Sequence, residues 1–414
     1  MTFEQAIYWI VFLLWIPAFV QGLFSVVDGI KFHRFIRRAR DEAPRLFNSD
    51  GSFRFQPRAA VIMPCKGVDD EMEHTVAMIG RQNYADYEVV FSFESDTDPA
   101  YAAVKGWTRD WSRPIKFVVA GLADRRSQKI HNLLAALKEV SPDREVYVFT
   151  DSDVEPDEQW LGFIVAPLED PRIGAATGYR WYLASGGIGA GVRCAWNAAT
   201  TVKLHDERLS FCWGGSTAMR RTHFESLEIA RHWDRALSDD LQVTRAIQAS
   251  HLGIKFVPHA LVTSSDATTL AGFLEFARRQ LIITRICAPA MWRFAVWFCT
   301  AFTLGGTATF LLAVVGFMGW FGSTEAAWWG LAGWAVAMLL VGGRAVLRQM
   351  SMRLAIGNRL SWRDFCWDVF GTVTFAGGMH MHLLFMSAIG RRFVWRNIEY
   401  EMISPDETRV VRRL

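Results

Sequence analysis

Two closely spaced acid pairs carry most of the chemistry open to this sequence. Asp151-Ser152-Asp153 directly follows Val146-Tyr147-Val148-Phe149-Thr150, which reads as a buried strand. Alternate residues of an extended chain face opposite ways, but the turn that closes a strand can bring both carboxylates to one ion. One or two carboxylates completed by phosphate oxygens is the usual way to hold Mg²⁺. Asp151 and Asp153 are therefore the candidate metal ligands, with Mg²⁺ or Mn²⁺ expected; the competing reading is that they only cap the next helix. The second pair, Asp239-Asp240, follows Ser238 and opens the amphipathic stretch Leu241–Gln248. A helix N-terminus favours Ser and Asp electrostatically, which accounts for one acid. The other is surplus to capping, and a carboxylate beside an alcohol is a standard general base.

Other residues fit the same chemistry. Pro64-Cys65-Lys66-Gly67-Val68-Asp69 closes an earlier strand with a turn that can lie against a nucleotide. Glu94, Asp96 and Asp98 follow the next strand, where an acid can accept hydrogen bonds from a base or ribose. Lys129 and Asn132 begin a helix and could meet a phosphate; a solvated helix face is the plainer reading. Gly214-Gly215 permits close backbone approach to a ligand, or simply makes a hairpin. Phe276-Ala277-Arg278-Arg279-Gln280 and Arg285 place cations where the chain turns apolar, and these could neutralise a leaving diphosphate.

The elements that must position these side chains are short apolar runs alternating with amphipathic ones. Ala59–Met63, Glu88–Phe93, Lys116–Ala120, Val146–Thr150, Ile173–Tyr179 and Ile254–Pro258 read as strands. Helical patterns lie between the first two, around Pro99–Trp111, and at Ser127–Leu137. Strands alternating with helices of this length imply βαβ units and a mainly parallel sheet, so residues 51–290 are expected to form one α/β domain.

The rest of the chain belongs to a different solvent. The 414 residues are 51% hydrophobic and 21% charged, with 18 Trp and 30 Phe, which suggests a membrane protein carrying a soluble domain. A net charge of +3 is too small to imply nucleic acid. Six cysteines show no Cys-x-x-Cys spacing and no histidines at metal-ligand intervals, so free thiols in a reducing compartment are expected. Ile7 to Val27 carries no charge and is long enough to cross a hydrocarbon core of about 30 Å. Lys31, Arg34, Arg37, Arg38 and Arg40 follow it, so the chain enters the cytoplasm there. Residues 1–28 are thus a transmembrane helix and 29–50 a basic interfacial segment. Phe294–Phe321 and Ala326–Gly343 are again uncharged, giving two transmembrane helices within 291–345. Arg344, Arg348, Arg353, Arg359 and Arg363 mark the return to the cytoplasm. Residues 346–414 hold a basic loop, a re-entrant or third C-terminal membrane segment near 365–389, and a cytoplasmic tail. Asp368, His380 and His382 fall in that apolar stretch, and Gly377-Gly378 interrupts it. The expected location is a bacterial inner membrane, with the α/β domain facing the cytoplasm.

Taken in order, several motifs resemble a known family: Pro-x-Lys-Gly-Val-Asp at 64–69, Asp98-Pro99-Ala100, Lys129-Ile130-x-Asn132-Leu133 and the strand ending at Asp151. A Gly-Ser segment closing on Met219-Arg220, Asp239-Asp240 and a terminal Trp395-Arg396-x-x-x-Tyr400 complete the series. Together they are similar to the ceramide glucosyltransferase group of the inverting, membrane-bound family 2 glycosyltransferases with the A-type fold. That resemblance implies a metal-dependent, UDP-sugar-using enzyme in which Asp151 and Asp153 handle metal and diphosphate. It implies that Pro64, Lys66, Glu94, Asp96 and Lys129 line the donor site, and that Asp240, beside Asp239, is the base. The family's closing Gln/Arg-x-x-Arg-Trp motif is altered: Phe276 takes its first place, Gln280 replaces the tryptophan, and only Arg279 keeps its position. This weakens a processive polysaccharide synthase reading. The implied reaction moves a hexose to the primary hydroxyl of a membrane lipid, ceramide first and diacylglycerol next. A hopanoid-type or other lipid alcohol receiving a hexose or N-acetylglucosamine is the alternative. From other classes, an aspartyl-nucleophile phosphatase fits Asp151-x-Asp153, but its nucleophile should follow a domain's first strand; a non-catalytic membrane scaffold is the remaining rival.

Overall fold

The computed structural model describes residues 2–321 and 324–414. The chain divides into two compact units, each built from several stretches. One unit is α/β and comprises residues 36–185, 203–266 and 390–414; the other is helical and comprises residues 1–35, 186–202 and 267–389.

Up to residue 266 the described residues of the α/β unit form nine strands: β1 (Ala59–Pro64), β2 (Tyr87–Phe93), β3 (Ile115–Val119), β4 (Val146–Thr150), β5 (Ile173–Thr177), β6 (Arg180–Tyr182), β7 (Ser216–Arg220), β8 (Gly253–Phe256) and β9 (Val262–Ser264). Seven of them form one sheet in the order β3-β2-β1-β4-β7-β5-β8. All pairings in it are parallel except those of β7, which runs antiparallel to both β4 and β5. The fold is thus α/β with a mixed, mostly parallel sheet, as the alternating pattern predicts. β6 and β9 form a separate parallel pair that the sequence pattern does not announce.

The central strands are buried on both faces, which is why β1, β2 and β4 read as unbroken apolar runs rather than alternating ones. Val61 and Met63 of β1 pack with Met72, Val76 and Ile79 of the helix Met72–Gly80. Ala60 and Ile62 point the other way, onto Ile130, Leu133 and Ala136 of the helix Gln128–Glu139. Period-two alternation therefore survives as a choice between two apolar partners.

Residues 390–414, expected as a tail, form a three-stranded antiparallel sheet: β10 (Arg392–Trp395), β11 (Ile398–Ser404) and β12 (Glu407–Arg413). Its β10–β11 turn holds Arg396 and Asn397 at positive φ, 49° and 62°. Tyr400 of β11 is buried, and its hydroxyl accepts a hydrogen bond from the Gln128 amide at 3.1 Å. That bond anchors the small sheet to the start of the helix Gln128–Glu139.

The helical unit contains helices long and apolar enough to cross a membrane at Phe3–Leu46, Pro289–Phe317 and Glu325–Arg359. The first continues past residue 35 into the α/β unit and runs unbroken to Glu42 in α-helical form. Trp362–Phe375 and Gly377–Ala388 are bent by 71°, the geometry of a broken span or a re-entrant loop. Gly316 and Gly330 let two of the long helices approach closely: a Cβ on Gly330 would lie 2.5 Å from the Ala313 nitrogen. Arg348 and Asp368 are fully buried against each other, and Gln349 donates to Asp368 at 2.7 Å. A charge pair of this kind persists in an apolar unit only with such partners. All six cysteines are free thiols.

Candidate active site

In the α/β unit the chain runs from β1 outward to β2 and β3, then returns to place β4 on the other side of β1. Beyond the carboxyl ends of β1 and β4 the connections diverge, and an open α/β sheet binds its ligands in that crevice. The turn after β1 carries Lys66 and Asp69; the turn after β4 carries Asp151 and Asp153.

These residues enter one continuous alternation of acids and cations. Lys129 Nζ lies 3.1 Å from Asp239 and 2.9 Å from Asp151. The other Asp151 oxygen is 3.1 Å from Arg180, and Arg180 is 2.6 Å from Asp153. Arg396 lies 3.8 Å from Asp153 and 2.5 Å from Asp69. The series Asp239–Lys129–Asp151–Arg180–Asp153–Arg396–Asp69 thus joins four acids through three cations. The Arg180 guanidinium also lies 5.2 Å from the Trp213 ring and 5.7 Å from the Tyr182 ring, so aromatic faces hold it between the two carboxylates.

Local structure explains each placement. Ser127 caps the helix Gln128–Glu139 by accepting from the Ile130 amide, so Lys129 stands in its first turn at the strand ends. Asn132, one turn on, is buried; its amide donates to the Cys65 and Ser92 carbonyls and accepts from Gln128. It stitches the ends of β1 and β2 together, whereas the sequence reading offered it to a phosphate. Gly214 leaves room for the Asp239 carboxylate, and Gly215 for the Trp213 ring and Asp151. A Cβ on Gly214 would lie 2.7 Å from Lys129 Nζ and collide with the Asp239 carboxylate, and one on Gly215 would lie 2.7 Å from Asp151 Oδ2.

The two neighbouring acids of the helix Asp239–Ala249 are used differently. Asp240 is half-buried and accepts from the Leu241 amide at 2.8 Å, the Gly214 amide at 3.2 Å and the Ser238 hydroxyl at 2.5 Å. Asp239 is buried and faces Lys129. Burial pushes the Asp239 carboxyl up to about 6; Lys129 opposes this while Asp240 and Asp151 reinforce it. Burial would also raise Asp153, but the guanidiniums of Arg180 and Arg396 hold it down to about 2. Lys129 and Arg180 stay protonated above their ordinary values: burial works against them, and the facing carboxylates outweigh it.

Lys66 pairs with Glu94, and Arg413 of β12 lies 3.6 Å from the same carboxylate. Pro64 ends β1 beside them. Asp98 caps its own helix at the Ala100 amide and also accepts from Gly67, tying the turns after β1 and β2 together. Asp96 is exposed and lies 3.5 Å from the Ser95 hydroxyl, apart from these pairings. Arg279 belongs to the helix Leu270–Cys287 of the helical unit, its guanidinium 5.4 Å from the Phe276 ring. Arg180 and Asp69, and Arg396 as a charge, were not anticipated as site residues. Asp69 and Arg396 were visible inside motifs, but nothing local marks Arg180.

Among the described residues no group of three or more His, Cys, Asp or Glu is arranged to hold a metal ion. Asp151 and Asp153 nevertheless turn onto a single cation, Arg180. That donor set fits a hard divalent ion whose remaining ligands are diphosphate oxygens and water.

An open α/β sheet with carboxylates gathered at its switch point defines a ligand-binding domain of the nucleotide-handling kind. Residues 14–407 match the model of glycosyl transferase family 21, and the chain belongs to that family, which includes ceramide glucosyltransferases. The motif order led to the family 2 heading; the family shown is 21. No curated protein matches the chain. Among solved structures, the chain is similar to a mannosyltransferase from Pyrobaculum calidifontis in complex with GDP-Man and Mn²⁺, at 17% identity and a TM-score of 0.49, covering 84% of this chain and 99% of that one. It is also similar to glucosyl-3-phosphoglycerate synthase from Mycobacterium tuberculosis in complex with Mn²⁺ and UDP-glucose, at 16% identity and a TM-score of 0.39, covering 55% of this chain and 77% of that one.

Proposed function

We propose that this glycosyltransferase has the A-type fold and transfers a hexose, with inversion, from a UDP-sugar to the primary hydroxyl of a membrane lipid. Ceramide is the first candidate acceptor and diacylglycerol the second. The observation that carries the reading is the meeting of Asp151 and Asp153 at one cation, linked through Lys129 to Asp239 beside Asp240. One set of side chains can then face both the leaving diphosphate and the incoming alcohol.

Asp151 and Asp153 would hold Mg²⁺ or Mn²⁺, which supplies positive charge against the departing UDP. Lys129, fixed at a helix N-terminus, adds a second positive charge and the local helix dipole. Lys66, Glu94 and the turn from Pro64 bound the nucleoside end. Asp240 takes the proton of the lipid hydroxyl; the oxygen–anomeric carbon bond forms as the bond from that carbon to the diphosphate oxygen breaks. A single displacement passes through no covalent enzyme intermediate, so configuration inverts. The apolar helices keep the chain in the membrane that contains its acceptor, and the basic residues after the first of them favour a cytoplasmic catalytic domain. Membership of a glycosyltransferase family speaks against the phosphatase alternative.

The test is a donor and acceptor panel offered to the purified protein in mixed lipid, with the glycolipid identified by mass. UDP release should need both a sugar nucleotide and a lipid alcohol, stop in EDTA and return with Mn²⁺ or Mg²⁺. Asp240→Asn should abolish transfer while UDP affinity stays within about three-fold, since a base is used only in the transition state. Hydrolysis of a generic phosphate ester, indifferent to UDP, would overturn the assignment.

A further inference from the structure

The place that the proposed metal needs is filled in this structure by a side chain of the protein itself. Arg180 is 12% exposed in its side chain and contacts both proposed ligands, Asp151 at 3.1 Å and Asp153 at 2.6 Å. One nitrogen, Nη2, reaches both carboxylates, and Nη1 adds a contact to the second Asp153 oxygen at 3.2 Å. Two cations cannot share this position, because like charges at contact distance in a partly buried site repel strongly. The guanidinium need not go far when displaced. Trp213 and Tyr182 offer ring faces to it, and β6 is only three residues long.

The charge count points the same way. Four acids and three cations leave the series with one net negative charge. A divalent ion arriving without nucleotide would reverse that sign and strand Arg180 beside it. A diphosphate arriving with the ion supplies new acceptors in the planar geometry that guanidinium groups match well.

We propose that Arg180 is an exchangeable counter-ion of the donor site: it holds Asp151 and Asp153 together when the site has no metal, and yields them to the divalent ion as it re-pairs with the donor diphosphate. The proposal rests on the reading of Asp151 and Asp153 as metal ligands. It makes metal and nucleotide bind as a unit, with Arg180 suppressing metal binding in the absence of nucleotide.

The experiment measures free Mn²⁺ by electron paramagnetic resonance, with and without UDP, in the full-length wild type and in Arg180→Gln and Arg180→Lys. Without nucleotide, Arg180→Gln should bind Mn²⁺ at least about ten-fold more tightly than wild type, because a charge-assisted competitor has gone. Arg180→Lys, which keeps a cation, should fall between them. A purely structural arginine predicts the reverse, an Arg180→Gln protein whose Mn²⁺ affinity is unchanged or weaker, and that result overturns the exchange. If Arg180→Gln does not fold, the wild type still decides. Dicarbonyl labelling of Arg180, mapped by peptide mass, should rise only once Mn²⁺ is raised high enough to bind without nucleotide, and fall again when UDP follows; labelling indifferent to bound Mn²⁺ overturns the proposal. A wild type that binds no Mn²⁺ even with UDP removes the metal reading itself, whereas one that binds Mn²⁺ with UDP but shows neither effect removes only the role of Arg180.

Discussion

Asp239 and Asp240 are adjacent in the chain but are held by different groups. Asp240 has its oxygens on two backbone amides and a serine hydroxyl, whereas Asp239 is buried against Lys129. Asp239→Asn takes one acid from Lys129 and leaves the cation to Asp151, where it competes with a metal ion. UDP–Mn²⁺ affinity should therefore fall about ten-fold, roughly the worth of one partly buried charge contact, in contrast to Asp240→Asn. Titration calorimetry on both variants checks this, and equal losses of UDP affinity would show that the two acids share one role. Gly214→Ala is the steric counterpart. Its new methyl group must displace the Lys129 ammonium or the Asp239 carboxylate. A cost of about 1–3 kcal/mol in stability is expected from such overpacking, together with weaker donor binding. Thermal unfolding and UDP binding should both register it.

Among the elements, the C-terminal sheet has the clearest role in shaping the site. It supplies Arg396 to Asp69, Arg413 to Gln128 and Tyr400 to the first amide of the helix that carries Lys129. Tyr400→Phe leaves the Gln128 amide without that acceptor, so a loss of about 1–3 kcal/mol is expected in chemical denaturation. Another element-level prediction concerns the turn Pro258–Ala260, where His259 stacks on Phe163 at 4.6 Å and lies 3.4 Å from the Ala39 carbonyl. Burial lowers the His259 pKa, with the hydrogen bond to Ala39 opposing. Its folded value therefore lies below the unfolded value of about 6.5. The stability tied to the neutral ring is fully present above that unfolded value and is lost as pH falls through the folded one. Melting temperature should drop as pH falls below about 6.5, and His259→Gln should flatten that part of the profile.

For the whole molecule, stability should respond to ligand and membrane separately. A ligand that binds only the folded state stabilises by about 2.7 kcal/mol at a hundred times its dissociation constant. UDP with Mn²⁺ should accordingly raise the melting temperature, EDTA should reverse the shift, and UDP alone should do little. Among the described residues, three helices long and apolar enough to cross a membrane predict that alkaline carbonate leaves the chain in the membrane pellet and that detergent releases it. Release by carbonate alone would mean that the helices pack against protein instead.

The elements of the α/β unit were legible wherever burial on both faces writes itself as an apolar run. β4 falls on the expected residues, β1 and β2 differ from expectation by one residue at one end, and β3 is shifted by one residue at both ends. The long apolar helices were legible for the same reason, since their length and lack of charge are local properties. β6, β9 and the C-terminal sheet were not. They are short or half-exposed, and β6 finds its partner only through the fold, Arg180 pairing with Val262. Asp151, Asp153, Lys129 and Asp239 could be nominated from residue type and from their position at strand or helix ends. That a half-buried arginine holds the two strand-end acids together could not. Coulomb energy depends on distance through space, and the chain separations in this cluster, 27 residues from Asp153 to Arg180 and 327 from Asp69 to Arg396, carry no record of it.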